Sequence, residues 1–132
     1  MTYPYLVPLL AASVILLLIQ ILLQAQLFTA EKGAKWNAGP RDGNDNEARG
    51  VFAGRVKRAL ENFKETYPAF VALLLGLLIL GRTGGLGPIG ALTWFAARIV
   101  YIPLYYLGIP YLRSLAWLVS VVGLGLMVAG LF

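Results

Sequence analysis

Four apolar runs separated by three interruptions organise the chain. The first extends from about Leu6 to Leu27. The second opens as an amphipathic turn near Val56 and is purely apolar from Ala69 to Leu80. The third covers about Ile89 to Leu107, and the fourth about Leu112 to Phe132. Crossing a hydrocarbon layer about 30 Å thick takes roughly 20 helical residues, and each run meets that length. The pattern predicts an all-α, four-transmembrane-helix bundle forming one membrane domain over 1–132. Its spans lie at about 6–27, 56–80, 89–107 and 112–132, with one substantial loop over 28–55.

The polar residues inside the runs are spaced to share faces. Ser13, Gln20 and Gln24 stand at i, i+7 and i+11, a stripe expected to face other helices, because lipid offers no partners for hydroxyls and amides. Tyr3 and Tyr5 precede the first run as interfacial anchors. No basic start or small-residue cleavage site marks that run as a signal peptide, so an uncleaved helix is expected. Gly39-Pro40, Asp42-Gly43 and Gly50 punctuate the loop, Gly81 to Pro88 makes the second turn and Gly108-Ile109-Pro110 the third. Ser120, Gly123 and Gly125 suit close helix packing in the last span.

Composition agrees with a lipid-embedded chain. The 132 residues are 59% hydrophobic and only 13% charged, against about 25% charged in soluble domains. There is no cysteine and no histidine. A thiolate nucleophile or iron–sulfur site of the protein's own is thereby excluded, and so is imidazole as base or metal ligand. No metal site is expected. Eight of the eleven basic residues and all six acidic ones fall between Glu31 and Glu65. The acids nearly neutralise that stretch, which speaks against nucleic acid, and the basic excess reads as topology instead. It keeps the loop over 28–55 cytoplasmic and puts both termini outside. The start of the second span, the end of the third and the start of the fourth then meet at the cytoplasmic membrane face.

Candidate chemistry gathers at that meeting. Arg58, Asn62 and Glu65 occupy i, i+4 and i+7 where the second span enters the membrane, and so share one helix face. Arg98, Tyr101 and Tyr105 follow the same rule at i, i+3 and i+7 in the third. At 1.5 Å per residue Arg98 lies about 10 Å deeper than Tyr105, a depth at which a guanidinium needs a partner or a wet cavity. Arg113 and Ser114 open the fourth span. Several arginines with a carboxylate suit a small ligand carrying both carboxylates and an ammonium, and glutathione has that pattern. An Arg beside its thiol would favour the thiolate. Each residue also has a plainer reading. Lys57 and Arg58 serve as topological charges, Glu61 and Glu65 as solvated helix partners, Arg113 as a snorkelling side chain, and Tyr101, Tyr105 and Tyr106 as an aromatic belt.

Pro40-Arg41-Asp42, then Arg58-Ala59…Asn62…Glu65…Pro68, then Arg98…Tyr101…Tyr105…Arg113-Ser114 together resemble the MAPEG family, the membrane-associated proteins in eicosanoid and glutathione metabolism. Within it the chain is similar to the bacterial branch and to microsomal glutathione transferases. The resemblance covers most of the chain from Pro40 onward. It implies a homotrimer with glutathione between neighbouring subunits. Arg58, Asn62, Glu65, Arg98, Tyr101 and Tyr105 would hold the glutathione, and Arg113, with Ser114 beside it, would stabilise the thiolate. The chain departs from catalytic members at Glu61, where they often carry a basic residue, and at Thr66, where they carry an aromatic one.

The expected function is a glutathione-dependent transferase or peroxidase of the bacterial inner membrane, acting on hydrophobic electrophiles or lipid hydroperoxides. The alternative is a non-catalytic lipid-binding or accessory subunit of a larger membrane complex.

Overall fold

A computed structural model describes residues 5–33, 39–40 and 50–132. Four helices carry the chain: α1 (Leu6–Lys32), α2 (Val51–Ile79), α3 (Leu86–Tyr106) and α4 (Pro110–Gly130). All four are long and apolar enough to cross a membrane, and no strand occurs among the described residues. The molecule is an all-helical integral membrane protein. α1 continues past Leu27 to Lys32 and α2 opens at Val51 rather than Val56, so both helices extend into what the sequence assigns to the loop. The apolar pattern stops at the membrane surface, whereas the backbone hydrogen bonds of a helix continue into water without it. Asp42-Gly43 and the Arg41-Asp42 of the family motif lie outside the described residues.

α2 and α3 form the inner pair. α1 packs on α2 and α3, α4 packs on α3 and α2, and α1 and α4 make no direct contact. The core at the centre is aromatic. Phe70 and Trp94 stack with ring centroids 4.0 Å apart, Phe63 lies 5.4 Å from Trp94, and Tyr67 stacks on Trp94 at 6.0 Å. The polar stripe of α1 faces inward as its spacing predicts: Ser13 and Gln20 are buried and Gln24 is half-buried. The Ser13 and Tyr67 hydroxyls share a hydrogen bond of 2.9 Å that ties α1 to α2. Ser13 donates its own proton to Leu10 C=O at 2.6 Å, so Tyr67 is the donor of the shared bond, and in hydrocarbon that bond replaces the water the Tyr67 hydroxyl would otherwise need.

α3 and α4 approach through glycine. A Cβ on Gly123 would lie 2.7 Å from the Trp94 main-chain nitrogen, and one on Gly130 would lie 2.5 Å from Gly87 Cα. Small residues let the two backbones close to this distance, so that dispersion forces can hold them where no hydrophobic effect operates.

Two turns close with the same device. Gly81 at φ +68° follows α2, and Arg82 N–H donates to Leu77 C=O at 2.8 Å. Gly108 at φ +73° follows α3, and Ile109 N–H donates to Leu104 C=O at 3.0 Å. Each is a Schellman closure, which needs a left-handed residue that glycine supplies without strain. The second turn brings the end of α3 and the start of α4 beside the early turns of α2, and the candidate site lies there.

Candidate functional site

A cleft of about 390 Å³ opens between α2 and α4, with α3 at its base. Its lining is Arg58, Glu61, Asn62 and Glu65 from α2, Tyr101 and Tyr105 from α3, and Arg113, Ser114 and Trp117 from α4. That volume falls within the roughly 300–1,000 Å³ of small-molecule sites. Seven of the eight residues singled out by spacing and resemblance therefore share one cleft; Arg98 does not reach its surface.

Tyr105 organises the mouth. Arg58 Nε donates to its hydroxyl at 3.1 Å, and the Arg113 guanidinium carbon lies 4.7 Å from its ring centroid. Tyr105 thus holds two cations from different helices, Arg58 through its hydroxyl and at 5.9 Å from its ring centroid, Arg113 through the ring alone. Because the Tyr105 oxygen accepts from Arg58, its own proton remains available to a ligand. Ser114 is placed differently. Its hydroxyl donates back to Pro110 C=O at 3.1 Å, so it offers the cleft lone pairs and no proton.

Arg98 is fully buried, with 0% exposure. Its guanidinium lies between rings, 4.3 Å from the centroid of Tyr101 and 5.5 Å from that of Phe63. Nη1 donates to Asn62 Oδ1 at 2.9 Å. Nε and Nη2 have no hydrogen-bond acceptor among the described residues, and the faces of the Tyr101 and Phe63 rings stand against the charge. Burial at this depth matches the expectation that a membrane arginine is partnered. The partner is an amide of the cleft wall, and Arg98 stands behind that wall.

Glu61 and Trp117 line the cleft without having been assigned to it from sequence. Glu61 stands three residues after Arg58 and also pairs with Lys57 at 4.0 Å. Trp117 stands four residues after Arg113. Helical spacing alone would have marked both. With them the lining carries Arg58 and Arg113 against Glu61 and Glu65, two charges of each sign, while the buried Arg98 adds positive potential from behind.

No group of three or more histidine, cysteine, aspartate or glutamate side chains among the described residues could hold a metal ion. The family model described as the MAPEG family matches residues 9–132. The chain belongs to the MAPEG family. Comparisons with curated proteins and with solved structures gave no match. The family includes glutathione transferases and peroxidases alongside other members, and glutathione is a common ligand within it. The match spans α2, α3 and α4 entirely, hence every residue that lines the cleft.

Proposed function

We propose that this MAPEG protein is a glutathione-dependent transferase or peroxidase, similar to microsomal glutathione transferases of the bacterial branch, that acts on hydrophobic electrophiles or lipid hydroperoxides reaching it from the bilayer. The observation that carries the reading is the charge arrangement of the cleft: Arg58 and Arg113 braced on Tyr105, with Asn62 and then Glu65 following Arg58 along the same face of α2. Glutathione fits this donor set. Its carboxylates suit the guanidiniums and the Asn62 amide, and its ammonium suits Glu65.

Bound glutathione supplies a thiol. With an electrophile, the thiol loses its proton, a carbon–sulfur bond forms and the leaving group departs. With a hydroperoxide, two thiols become one disulfide as the peroxide becomes alcohol and water. Arg113 would favour the thiolate by its charge. Tyr105, with its proton uncommitted, is the hydroxyl suited to hydrogen-bond the sulfur. Trp117 extends the lining toward the apolar part of α4, where a hydrophobic acceptor would enter.

We further propose a homotrimer in the inner membrane, with the 28–55 segment cytoplasmic and both termini outside. Lys64, which does not line the cleft, is exposed on the single chain yet stands roughly 20 Å from the far end of α2 at 1.5 Å per residue, within the hydrocarbon thickness. Charges at that depth face a protein or a wet cavity rather than lipid, which supports burial of this face against another copy.

A second reading, a non-catalytic lipid-binding or accessory subunit, draws on Glu61. That carboxylate brings the lining to two charges of each sign, which also suits a zwitterionic lipid headgroup. The deciding experiment is glutathione binding to the purified detergent-solubilised protein, with thiolate followed by ultraviolet difference absorbance in wild type and Arg113→Ala. A saturable thiolate signal that the substitution abolishes supports the enzyme. Absence of binding at millimolar glutathione overturns it.

A further inference from the structure

We propose that Arg98 is a positioning residue that fixes the amide orientation of Asn62, so that the cleft is offered the Asn62 Nδ2 protons and selects a hydrogen-bond acceptor at that point. The inference rests on glutathione as the ligand of the cleft and specifies one of its contacts.

An asparagine amide has a donor end and an acceptor end of nearly equal size, and surrounding groups decide which way it faces. Arginine has donors only. Nη1 of Arg98 lies 2.9 Å from the Asn62 side-chain oxygen. The reverse orientation would bring two N–H groups together in a low-dielectric interior, with neither able to find water. Arg98 itself has little freedom to move. It is fully buried, stacked at 4.3 Å on Tyr101 and backed by Phe63 at 5.5 Å. Asn62 is half-buried and lines the cleft, as does Tyr101, so the two groups that cover Arg98 on that side are the ones a ligand would touch.

The consequence is a division of labour along α2. Arg58 and Asn62, one helical turn apart, both present donors. Glu61 and Glu65, likewise one turn apart, both present acceptors. A carboxylate or carbonyl oxygen of glutathione therefore belongs at the Arg58–Asn62 pair, and its ammonium belongs on the Glu side. Arg98 reaches the ligand only through Asn62.

A double-mutant cycle on glutathione affinity, measured by titration calorimetry with the full chain in detergent, tests this directly. Asn62→Leu and Arg98→Met are each expected to weaken binding about three- to tenfold, the scale of one hydrogen bond. The double variant is expected to bind no worse than Asn62→Leu. Losses that multiply would place Arg98 on the ligand and overturn the proposal.

Asn62→Asp gives an independent arm. It keeps an acceptor for Arg98 and removes the Nδ2 donor, so thermal stability should hold while affinity falls. Affinity equal to wild type would overturn the proposal. Arg98→Lys keeps a donor-only cation and should restore most of the binding lost in Arg98→Met; if Arg98→Met does not fold, Arg98→Lys and Asn62→Asp carry the test. Wild-type protein that binds no glutathione would overturn the glutathione reading instead. The same cycle read on thermal unfolding would then still report whether Arg98 and Asn62 act as one unit.

Discussion

The Arg55 guanidinium of α2 donates to the main-chain carbonyl of Tyr106 at the end of α3, Nη1 to oxygen 3.1 Å. That carbonyl lacks a partner within its own helix because the residue four positions on is Pro110, which has no N–H. Phe52 stacks on the Tyr106 ring at 4.7 Å, and Gly108 leaves the space that the guanidinium occupies. Phe52, Arg55, Arg58, Asn62 and Glu65 form one continuous stripe on α2. The stripe first anchors the α3–α4 turn and then lines the cleft.

Arg55→Ala is expected to lower stability by about 1.5–3 kcal/mol, the range for hydrogen bonds to charged groups. Gly108→Ala should do at least as much harm, because its Cβ would lie 2.7 Å from Arg55 Cζ at a φ of +73°. Thermal unfolding in one detergent compares both with wild type. A Gly108→Ala protein that melts with the wild type would show that the turn does not depend on this close approach.

Tyr105→Phe and Ser114→Ala separate the two hydroxyls of the cleft. Tyr105 keeps a free proton while Ser114 donates to Pro110. Conjugation turnover at saturating glutathione should fall roughly tenfold in Tyr105→Phe, one hydrogen bond to the sulfur in the transition state. It should change less than about threefold in Ser114→Ala. The opposite ranking would assign the assisting hydroxyl to Ser114.

Glu65→Gln should cost affinity for glutathione by about tenfold, the value of a charge-assisted contact. Affinity for glutathione acylated on its amine should stay nearly unchanged, since that analogue has no ammonium to lose. Equal losses for the two ligands would remove Glu65 from the ammonium subsite.

Gly123→Leu is expected to separate α3 from α4 and destabilise the bundle by about 1–3 kcal/mol or more, the scale of overpacking. The Cβ alone would already meet the Trp94 backbone at 2.7 Å and the Gly90 carbonyl at 2.8 Å. Gly125→Leu, whose Cβ would meet nothing within 4 Å, should be tolerated. Unfolding of the two variants side by side checks the contrast.

Ser13→Ala and Tyr67→Phe should each cost about 0.6–2 kcal/mol, the range for interhelical hydrogen bonds in membranes. Ser13 Oγ donates to Leu10 C=O at 2.6 Å and so accepts the 2.9 Å bond from Tyr67. The double variant should therefore cost little more than Ser13→Ala alone, and additive losses would mean that Tyr67 spends its proton elsewhere.

The sequence by itself determined the class of fold and most of the cleft. Runs of apolar residues long enough for a bilayer gave four helices, since hydrocarbon leaves the backbone no other way to satisfy its polar groups. Helical spacing then put Ser13 with Gln20 and Arg58 with Asn62 on common faces, because residues three, four and seven apart return to the same side of a 3.6-residue turn. What spacing could not supply was the relation between helices. That Arg98 stands behind Asn62, that Ser114 turns back to Pro110, that Glu61 and Trp117 complete the lining and that Arg55 reaches Tyr106 were decided only by the tertiary structure. Axial register and crossing angle choose which residues of two faces meet, and both depend on close packing at distant points such as Gly90–Gly123 and Phe70–Trp94. A periodic pattern along one helix says which side is polar; it does not say what stands opposite.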